Sequence, residues 1–252
     1  KAHHRRMDRV VALKVLSPKV TKTPEAVGRF QREVWSAARL EHPNIVRAYD
    51  AREIDGRPVL VMEYVDGMDL SRLVRDCGRI RMADACELVR QAAAGLQYVH
   101  ENGLIHRDVK PSNLMLTPQG HVKLLDLGLA RFHAAPLSSD ELTGAGQPIG
   151  TADYIAPEQV SDSRAVDIRA DIYSLGCTLY KLLTGHAPFA GSDCRGTFDE
   201  LTAHVNQPAP SIRECDATLP EGLTGLIDGL LAKSADDRPA TPGEVAQSLE
   251  PF

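Results

Sequence analysis

Three residues with chemically useful side chains lie close together in the polar stretch 106–113: Asp108, Lys110 and Asn113. The stretch ends against the apolar run 114–116, and charge beside a buried strand is unfavourable unless it is paired or has a chemical use. A carboxylate that accepts a hydroxyl proton, an amine that binds phosphate and an amide that ligates a metal together favour phosphoryl transfer. For His-Arg-Asp alone, a solvated loop after a helix is the better interpretation.

Lys14 is another charged residue in an apolar setting. It lies in the run 10–16, whose β-branched and apolar residues predict a buried strand. A charge there needs a partner unless the lysine is at an exposed edge. Thr23 and Pro24 then predict the start of a helix, as N-cap and first-turn proline, and this helix carries Glu33.

The elements that must position these residues are predicted from periodicity and turn residues. Strands are expected over 45–49 and 58–64. A long amphipathic helix over 82–101 leads the chain into the reactive stretch. A short strand over 122–125 ends at Asp126, which places a further carboxylate at the end of an apolar run.

The rest of the chain is predicted to be mainly helical. A strongly apolar helix over 167–184 contains Asp171, and a carboxylate in such a helix should have buried hydrogen-bond donors. The stretch 131–150 is rich in Ser, Gly, Ala and Pro without periodicity, and loops of this length are usually functional or disordered. Further helices are predicted over 198–205, 223–232 and 242–249.

Composition narrows the function classes. The 252 residues are 43% hydrophobic and 25% charged, which is typical of a globular protein, and they carry a net charge of −5. An acidic chain does not favour nucleic-acid binding or a basic membrane surface. No apolar run approaches the roughly 20 residues that a membrane helix needs, and no secretory leader opens these residues. Five scattered cysteines without a Cys-x-x-Cys pair favour reduced thiols in a cytoplasmic domain.

The stretch 106–113 resembles the catalytic loop of protein kinases, His-Arg-Asp followed by four residues and Asn, at every fixed position. Other motifs resemble kinase motifs in kinase order: Val11-Ala12-Leu13-Lys14, Asp126-Leu127-Gly128 with Leu where kinases have Phe, and Ala156-Pro157-Glu158. The resemblance implies an α+β, two-lobed protein-kinase-like fold. A small sheet-plus-helix N-lobe is expected over 1–65 and a mainly helical C-lobe over 66–252, which together form one catalytic domain.

The resemblance also implies roles for individual residues. Asp108 would accept the proton of the substrate hydroxyl, and Lys110 would neutralise the transferred phosphate. Asn113 and Asp126 would hold Mg²⁺, or Mn²⁺ in its place. Lys14, paired with Glu33, would position the α- and β-phosphates of ATP. In kinases, Asp171 would hold the catalytic-loop backbone, and Arg238 would pair with Glu158.

The same resemblance places the adenine and ribose contacts. Ala12 and Met115 would enclose adenine, Met62 would guard the deeper pocket, and the backbone of Glu63 to Val65 would form the hinge. Asp69 lies where many kinases place an acidic ribose contact, although a helix cap or a merely solvated carboxylate is an equally good interpretation of this residue.

The glycine-rich loop and first strands of the small lobe do not occur in these residues. We expect them to precede Lys1; the alternative is a chain that binds ATP poorly, and hence a pseudokinase or signalling scaffold.

Thr143 is a candidate phosphorylation site with Arg107 as its counter-charge, against the alternative of an ordinary loop residue. Thr151, before Ala-Pro-Glu, is expected to shape the substrate site.

These features together are most similar to bacterial eukaryotic-like serine/threonine protein kinases. The implied activity is transfer of the ATP γ-phosphate to Ser or Thr hydroxyls of protein substrates in signal transduction. The expected partners are ATP, protein substrates and a second copy for autophosphorylation, without nucleic acid and without membrane contact within these residues. A membrane anchor outside this stretch is an open alternative for the full-length protein.

Overall fold

The structure, a computed structural model, describes residues 1–5, 8–15, 39–54, 57–127, 152–161, 166–190 and 196–252. Within these ranges the strands are β1 Ala2–His4, β2 Arg9–Val15, β3 Ala48–Ile54, β4 Arg57–Glu63, β5 Met68–Asp69, β6 Leu114–Leu116 and β7 Val122–Leu124. The helices are α1 Leu70–Cys77, α2 Met82–Glu101, α3 Pro157–Ser161, α4 Ile168–Thr184, α5 Thr197–Asn206, α6 Ile212–Cys215, α7 Glu221–Leu230 and α8 Pro242–Leu249. Short 3₁₀ turns occur at Pro111–Asn113, Ala152–Tyr154 and Ala235–Asp237.

The first part of the chain is a four-stranded antiparallel sheet in the order β1-β2-β4-β3. In β2, Ala12 lies opposite Met62 and Lys14 lies opposite Leu60 of β4. Directly opposed residues share a face of the sheet, so these four side chains lie on one face. Met62 and Leu60 are buried there with Ala12 packed against them, which places the strand lysine beside an apolar surface.

The strand expected over 45–49 is wrong in its bounds, because β3 begins three residues later than predicted and extends past it. Ile45 instead forms an isolated parallel bridge with Leu124, whose N–H donates to the carbonyl of Asn44 at 2.8 Å. The charged residues of β3 obscured the strand, since β3 is at the edge of the sheet, where charged side chains are common.

The predicted reactive stretch lies between α2 and the small sheet β5-β6-β7, and the turn Pro111–Asn113 leads it into β6. Gly95 of α2 permits close packing at this point, because a Cβ there would lie 2.7 Å from Leu124 Cδ1 of β7. The helix that delivers the catalytic stretch is therefore packed directly on the strand that precedes Asp126.

The helical part packs around α4, which is buried along nearly its whole length. Its first turn is capped by Asp167, whose carboxylate accepts from the N–H of Arg169 at 2.9 Å. Gly185 ends the helix in the left-handed conformation, with φ of 91°. The predicted bounds of α2 and α8 are confirmed, and those of α4, α5 and α7 are confirmed to within two residues.

Candidate active site

The structure brings together the three reactive residues of the catalytic stretch. Lys110 Nζ lies 2.8 Å from Asp108 Oδ1. Asn113 Nδ2 donates to Asp108 Oδ2 at 2.9 Å and to the backbone carbonyl of Asp108 at 2.8 Å. Both carboxylate oxygens of Asp108 therefore have a donor, and the side chain is held in a single orientation although it is about one-fifth exposed.

Asp171 of α4 holds the backbone that precedes Asp108. Its carboxylate accepts from the N–H of His106 and from the N–H of Arg107, each at 2.7 Å, and it is fully buried. Burial raises the pKa of Asp171, while His106 and the two backbone donors act in the opposite direction. The expected buried donors of Asp171 are thus confirmed. Arg107 has a φ of 65°, a conformation that a non-glycine residue rarely adopts without such support.

His106 connects the catalytic stretch to the strand that leads to Asp126. Its ring is buried, with Nε2 2.7 Å from the carbonyl of Leu125. The N–H of Asp108 donates to Nδ1 at 3.3 Å. Since Nδ1 accepts, Nε2 carries the proton and donates to Leu125. The placement of Asp108 is therefore coupled to the end of β7.

Lys14 and Asp126 form an ion pair across the two parts of the chain, with Nζ 2.8 Å from Oδ2. Each side chain is about one-quarter exposed. Asp126 has a φ of 62°, so a non-glycine residue again adopts a left-handed conformation beside the site. This pair was not predicted; Glu33, the predicted partner of Lys14, lies outside the described residues.

An apolar cleft lies beside Asp126, and its empty space together with the open solvent at its mouth amounts to about 360 Å³. Its lining residues are Val46, Ala48, Leu60, Met62, Leu124, Asp126 and Leu127. Met62, the predicted guard of the deeper pocket, lines this cleft, and Ala12 packs beside it. Met115 lies on β6, opposite Asp69 and Lys123, and is not among the lining residues.

The predicted hinge residue Glu63 is held by several polar contacts. Its carboxylate lies 2.9 Å from Lys123 Nζ, and its N–H donates to the carbonyl of Arg47 at 2.8 Å. Asp69 caps α1, where its Oδ1 accepts from the N–H of Arg72 at 2.8 Å. The capping interpretation of Asp69 is therefore confirmed, whereas its contact with ribose stays a prediction.

Glu158 and Arg238 form the predicted ion pair. Glu158 belongs to the Ala-Pro-Glu segment, which leads into α3 beside the catalytic stretch. Two parallel bonds of 2.7 and 2.9 Å join the guanidinium to the carboxylate. The side chain of Arg238 is completely buried, while that of Glu158 is 21% exposed. The pair anchors α3 to the segment between α7 and α8.

The protein kinase domain family matches residues 1–249 of this chain. The chain belongs to the protein kinase family. This kinase domain is 40% identical over 248 residues to serine/threonine-protein kinase PknB of Mycolicibacterium smegmatis, an alignment that covers 97% of this chain and 39% of that protein. It is 35% identical over 239 residues to serine/threonine-protein kinase PknE of Mycobacterium bovis, with 95% of this chain and 41% of that protein covered.

The solved structure of the PknI kinase domain of Mycobacterium tuberculosis has a TM-score of 0.73 and 32% identity, and the match covers 96% of this chain and 85% of that one. The predicted family and the two-lobed α+β kinase fold are therefore confirmed. The kinase domain spans about two-fifths of the length of the curated relatives that it matches. In the described ranges, no helix is long and apolar enough to cross a membrane.

Several residues of the kinase site fall outside these ranges, and others were missed. Glu33, Thr143 and Thr151 lie outside the described residues, so their predicted roles stay predictions. The Glu63–Lys123 pair was missed because the two residues are far apart in sequence and neither belongs to a kinase motif. Gln159, which contacts the catalytic stretch, was missed for the same reason, although its position directly after Ala-Pro-Glu could have drawn attention to it.

Proposed function

We propose that this kinase domain transfers the γ-phosphate of ATP to serine and threonine hydroxyl groups of protein substrates. The observation that carries the proposal is the arrangement around Asp108, whose carboxylate is held by Lys110 and Asn113 within 3 Å. The serine/threonine kinases among its relatives support the class of acceptor. Asp108, Lys14 and Asp126 are all present and each is held in an ion pair, which supports this activity over the pseudokinase alternative.

Asp108 orients the substrate hydroxyl and accepts its proton. Its Oδ1 lies 2.8 Å from Lys110 Nζ, so the amine holds the carboxylate in place to receive the proton. Lys110 can also reach the transferred phosphoryl group and neutralise its negative charge. Most of the rate enhancement in this chemistry comes from positioning and charge stabilisation, so the rigid hydrogen-bonded arrangement is the main contribution of these residues.

The donor set fits a hard divalent cation. Asn113 uses Nδ2 for both of its bonds to Asp108, which leaves Oδ1 as its ligand atom, and Asp126 supplies carboxylate oxygens. Mg²⁺, or Mn²⁺, held by these two residues would neutralise negative charge on the phosphates. Two protein ligands suffice because phosphates and water complete the shell. When ATP binds, Lys14 leaves Asp126 and contacts the α- and β-phosphates, and Glu33 becomes its ion-pair partner.

The apolar cleft is proposed to take adenine between the lobes, with the boundary after residue 65. Ala12 and Met115 enclose the base, and Met62 lies at the deeper end of the cleft. The N–H of Glu63 already donates to the backbone carbonyl of Arg47. The adenine therefore bonds to the Glu63 carbonyl and to the backbone of Val65. The ribose lies near Asp69, which retains a second carboxylate oxygen besides the one that caps α1.

Regulation by phosphorylation is a further part of the proposal. A second copy of the kinase phosphorylates Thr143, and Arg107 binds the phosphate bidentately, while Thr151 shapes the substrate site. The arrangement of Arg107 supports this, because Asp171 fixes its backbone. Phosphosite mapping of the wild type, together with transfer rates of Thr143→Ala and Arg107→Ala, tests it; unchanged rates in both variants would exclude this control.

A thermal-shift titration with Mg-ATP tests nucleotide binding by the full-length protein. Ligand that binds only the folded state at about 100 times its Kd stabilises by about 2.7 kcal/mol. We expect a clear rise in the melting temperature for wild type and a smaller one for Lys14→Met, which removes the phosphate contact. A wild type that shows no shift at millimolar Mg-ATP would contradict the proposed function.

A further inference from the structure

The side chain of Gln159 spans the space between the Ala-Pro-Glu segment and the catalytic stretch. Its Nε2 donates to the carbonyl of Arg107 at 3.1 Å. Its Oε1 accepts from the N–H of Ala156 at 3.0 Å, and its own N–H donates to the Ala156 carbonyl at 3.0 Å. One amide side chain thus joins the start of α3 to the residue immediately before Asp108.

This contact acts on the peptide plane that connects Arg107 to Asp108. The plane carries the carbonyl of Arg107, which accepts from Gln159, and the N–H of Asp108, which donates to His106 Nδ1 at 3.3 Å. The preceding plane is fixed separately, since the N–H of Arg107 donates to Asp171. Arg107 has a φ of 65°, an unfavourable backbone conformation for a residue other than glycine. Loss of the Gln159 bond therefore removes one of these two contacts of the Arg107–Asp108 plane, the one at its carbonyl end.

We infer that Gln159 is a positioning residue for phosphoryl transfer. It orients the peptide plane that sets the direction of the Asp108 side chain, and it couples that direction to the placement of the segment 156–158. Gln159 contacts none of the reacting groups in this role. The inference rests on the proposed kinase activity, which it deepens.

The test measures single-turnover phosphate transfer to myelin basic protein by the full-length protein, with wild type, Gln159→Ala and Gln159→Glu. Loss of one such hydrogen bond predicts a rate about 3- to 10-fold below wild type for Gln159→Ala. The apparent affinity for Mg-ATP should be unchanged, because the nucleotide residues are untouched. A melting temperature close to that of wild type shows that the fold is retained.

The pH dependence of Gln159→Glu distinguishes a positioning role from a purely structural one. The carboxylate still accepts from Ala156 but cannot donate to the Arg107 carbonyl, so transfer is slow at about pH 8. A protonated carboxyl regains an O–H donor. The ratio of the variant rate to the wild-type rate should therefore rise as the pH falls from about 8 to about 5, where about one-sixth of a carboxyl with the ordinary glutamate pKa of about 4.3 is protonated.

Gln97→Ala is the matched control, because Gln97 is also a partly exposed glutamine that bonds a backbone N–H, that of Gly243, at 2.9 Å. It lies on α2 away from the catalytic stretch, and its removal should leave the transfer rate unchanged. A Gln159→Ala rate within twofold of wild type, or a Gln159→Glu ratio that does not change with pH, would overturn the inference alone. An inactive wild type would overturn the proposed function and the inference together.

Discussion

The strongest structural prediction concerns the buried pair of Arg238 and Glu158. All five N–H groups of Arg238 have acceptors: the two oxygens of Glu158, and the carbonyls of Ala232, Arg169 and Lys233 at 2.8 to 3.0 Å. The Arg238 side chain is completely buried. Glu158→Gln keeps the shape of the side chain but removes the negative charge that is bonded to the guanidinium.

Removal of one partner from a buried ion pair destabilises a protein by about 3–5 kcal/mol. Glu158 is 21% exposed, so water can reach the site in the variant, and the lower end of the range, about 3 kcal/mol, is expected. For a domain of this size, each kcal/mol lowers the melting temperature by about 2–4 °C. We therefore expect Glu158→Gln to melt about 6–12 °C below wild type.

Thermal unfolding followed by circular dichroism is the assay, with Glu87→Gln as the control. Glu87 pairs with Arg90 at 2.6 Å on the surface, where such a contact contributes at most about 1 kcal/mol. Arg238→Lys, which keeps the charge but loses the planar fork, should be as destabilising as Glu158→Gln. The reasoning is refuted if Glu158→Gln melts no lower than Glu87→Gln.

The remaining predictions concern other buried contacts. Asp171→Asn replaces one carboxylate oxygen with an N–H donor that faces a backbone N–H. The free energy of unfolding measured in urea should therefore fall by about 2 kcal/mol, and phosphate transfer should slow. Wild-type values for both quantities would contradict the role of Asp171. Burial lowers the pKa of Lys233 to about 8, so the unfolded state binds more protons between about pH 8 and 10.5. The contribution of Lys233 to stability therefore rises with pH in that window, so the urea-unfolding free energy of wild type minus that of Lys233→Met should increase from about pH 8 to about 10.5. Gly95→Ala should destabilise by about 1–3 kcal/mol, because its Cβ would overlap Leu124; equal or greater stability would argue against close packing there.

The sequence predicts those parts of the structure that depend on local periodicity or on a kinase motif. The helix 82–101 is visible because its apolar residues recur at helical spacing, and Asp171 is conspicuous as a carboxylate in an apolar helix. Glu158 and Arg238 could be paired in advance through the resemblance alone. Strand β3 was misplaced because its exposed edge carries charged residues, which remove the alternation that marks a strand.

Contacts that arise from tertiary placement could not be predicted in this way. Lys14 meets Asp126, and Glu63 meets Lys123, only because the sheet packs above the strand β7. A polar residue such as Gln159 has no periodic pattern, and its two partners become neighbours only after α3 docks on the catalytic stretch. Such contacts are a property of the folded chain and cannot be read from the sequence alone.

The central claim is that Asp108 serves as the catalytic base of a serine/threonine kinase. The most direct measurement is transfer of labelled γ-phosphate from ATP to a protein substrate by the full-length wild type and by Asp108→Asn, with analysis of the labelled amino acids. The wild type should produce phosphoserine or phosphothreonine, and Asp108→Asn should be slower by at least about 100-fold with an unchanged fold, since it cannot accept the proton. Undiminished transfer by a folded Asp108→Asn protein would contradict the account.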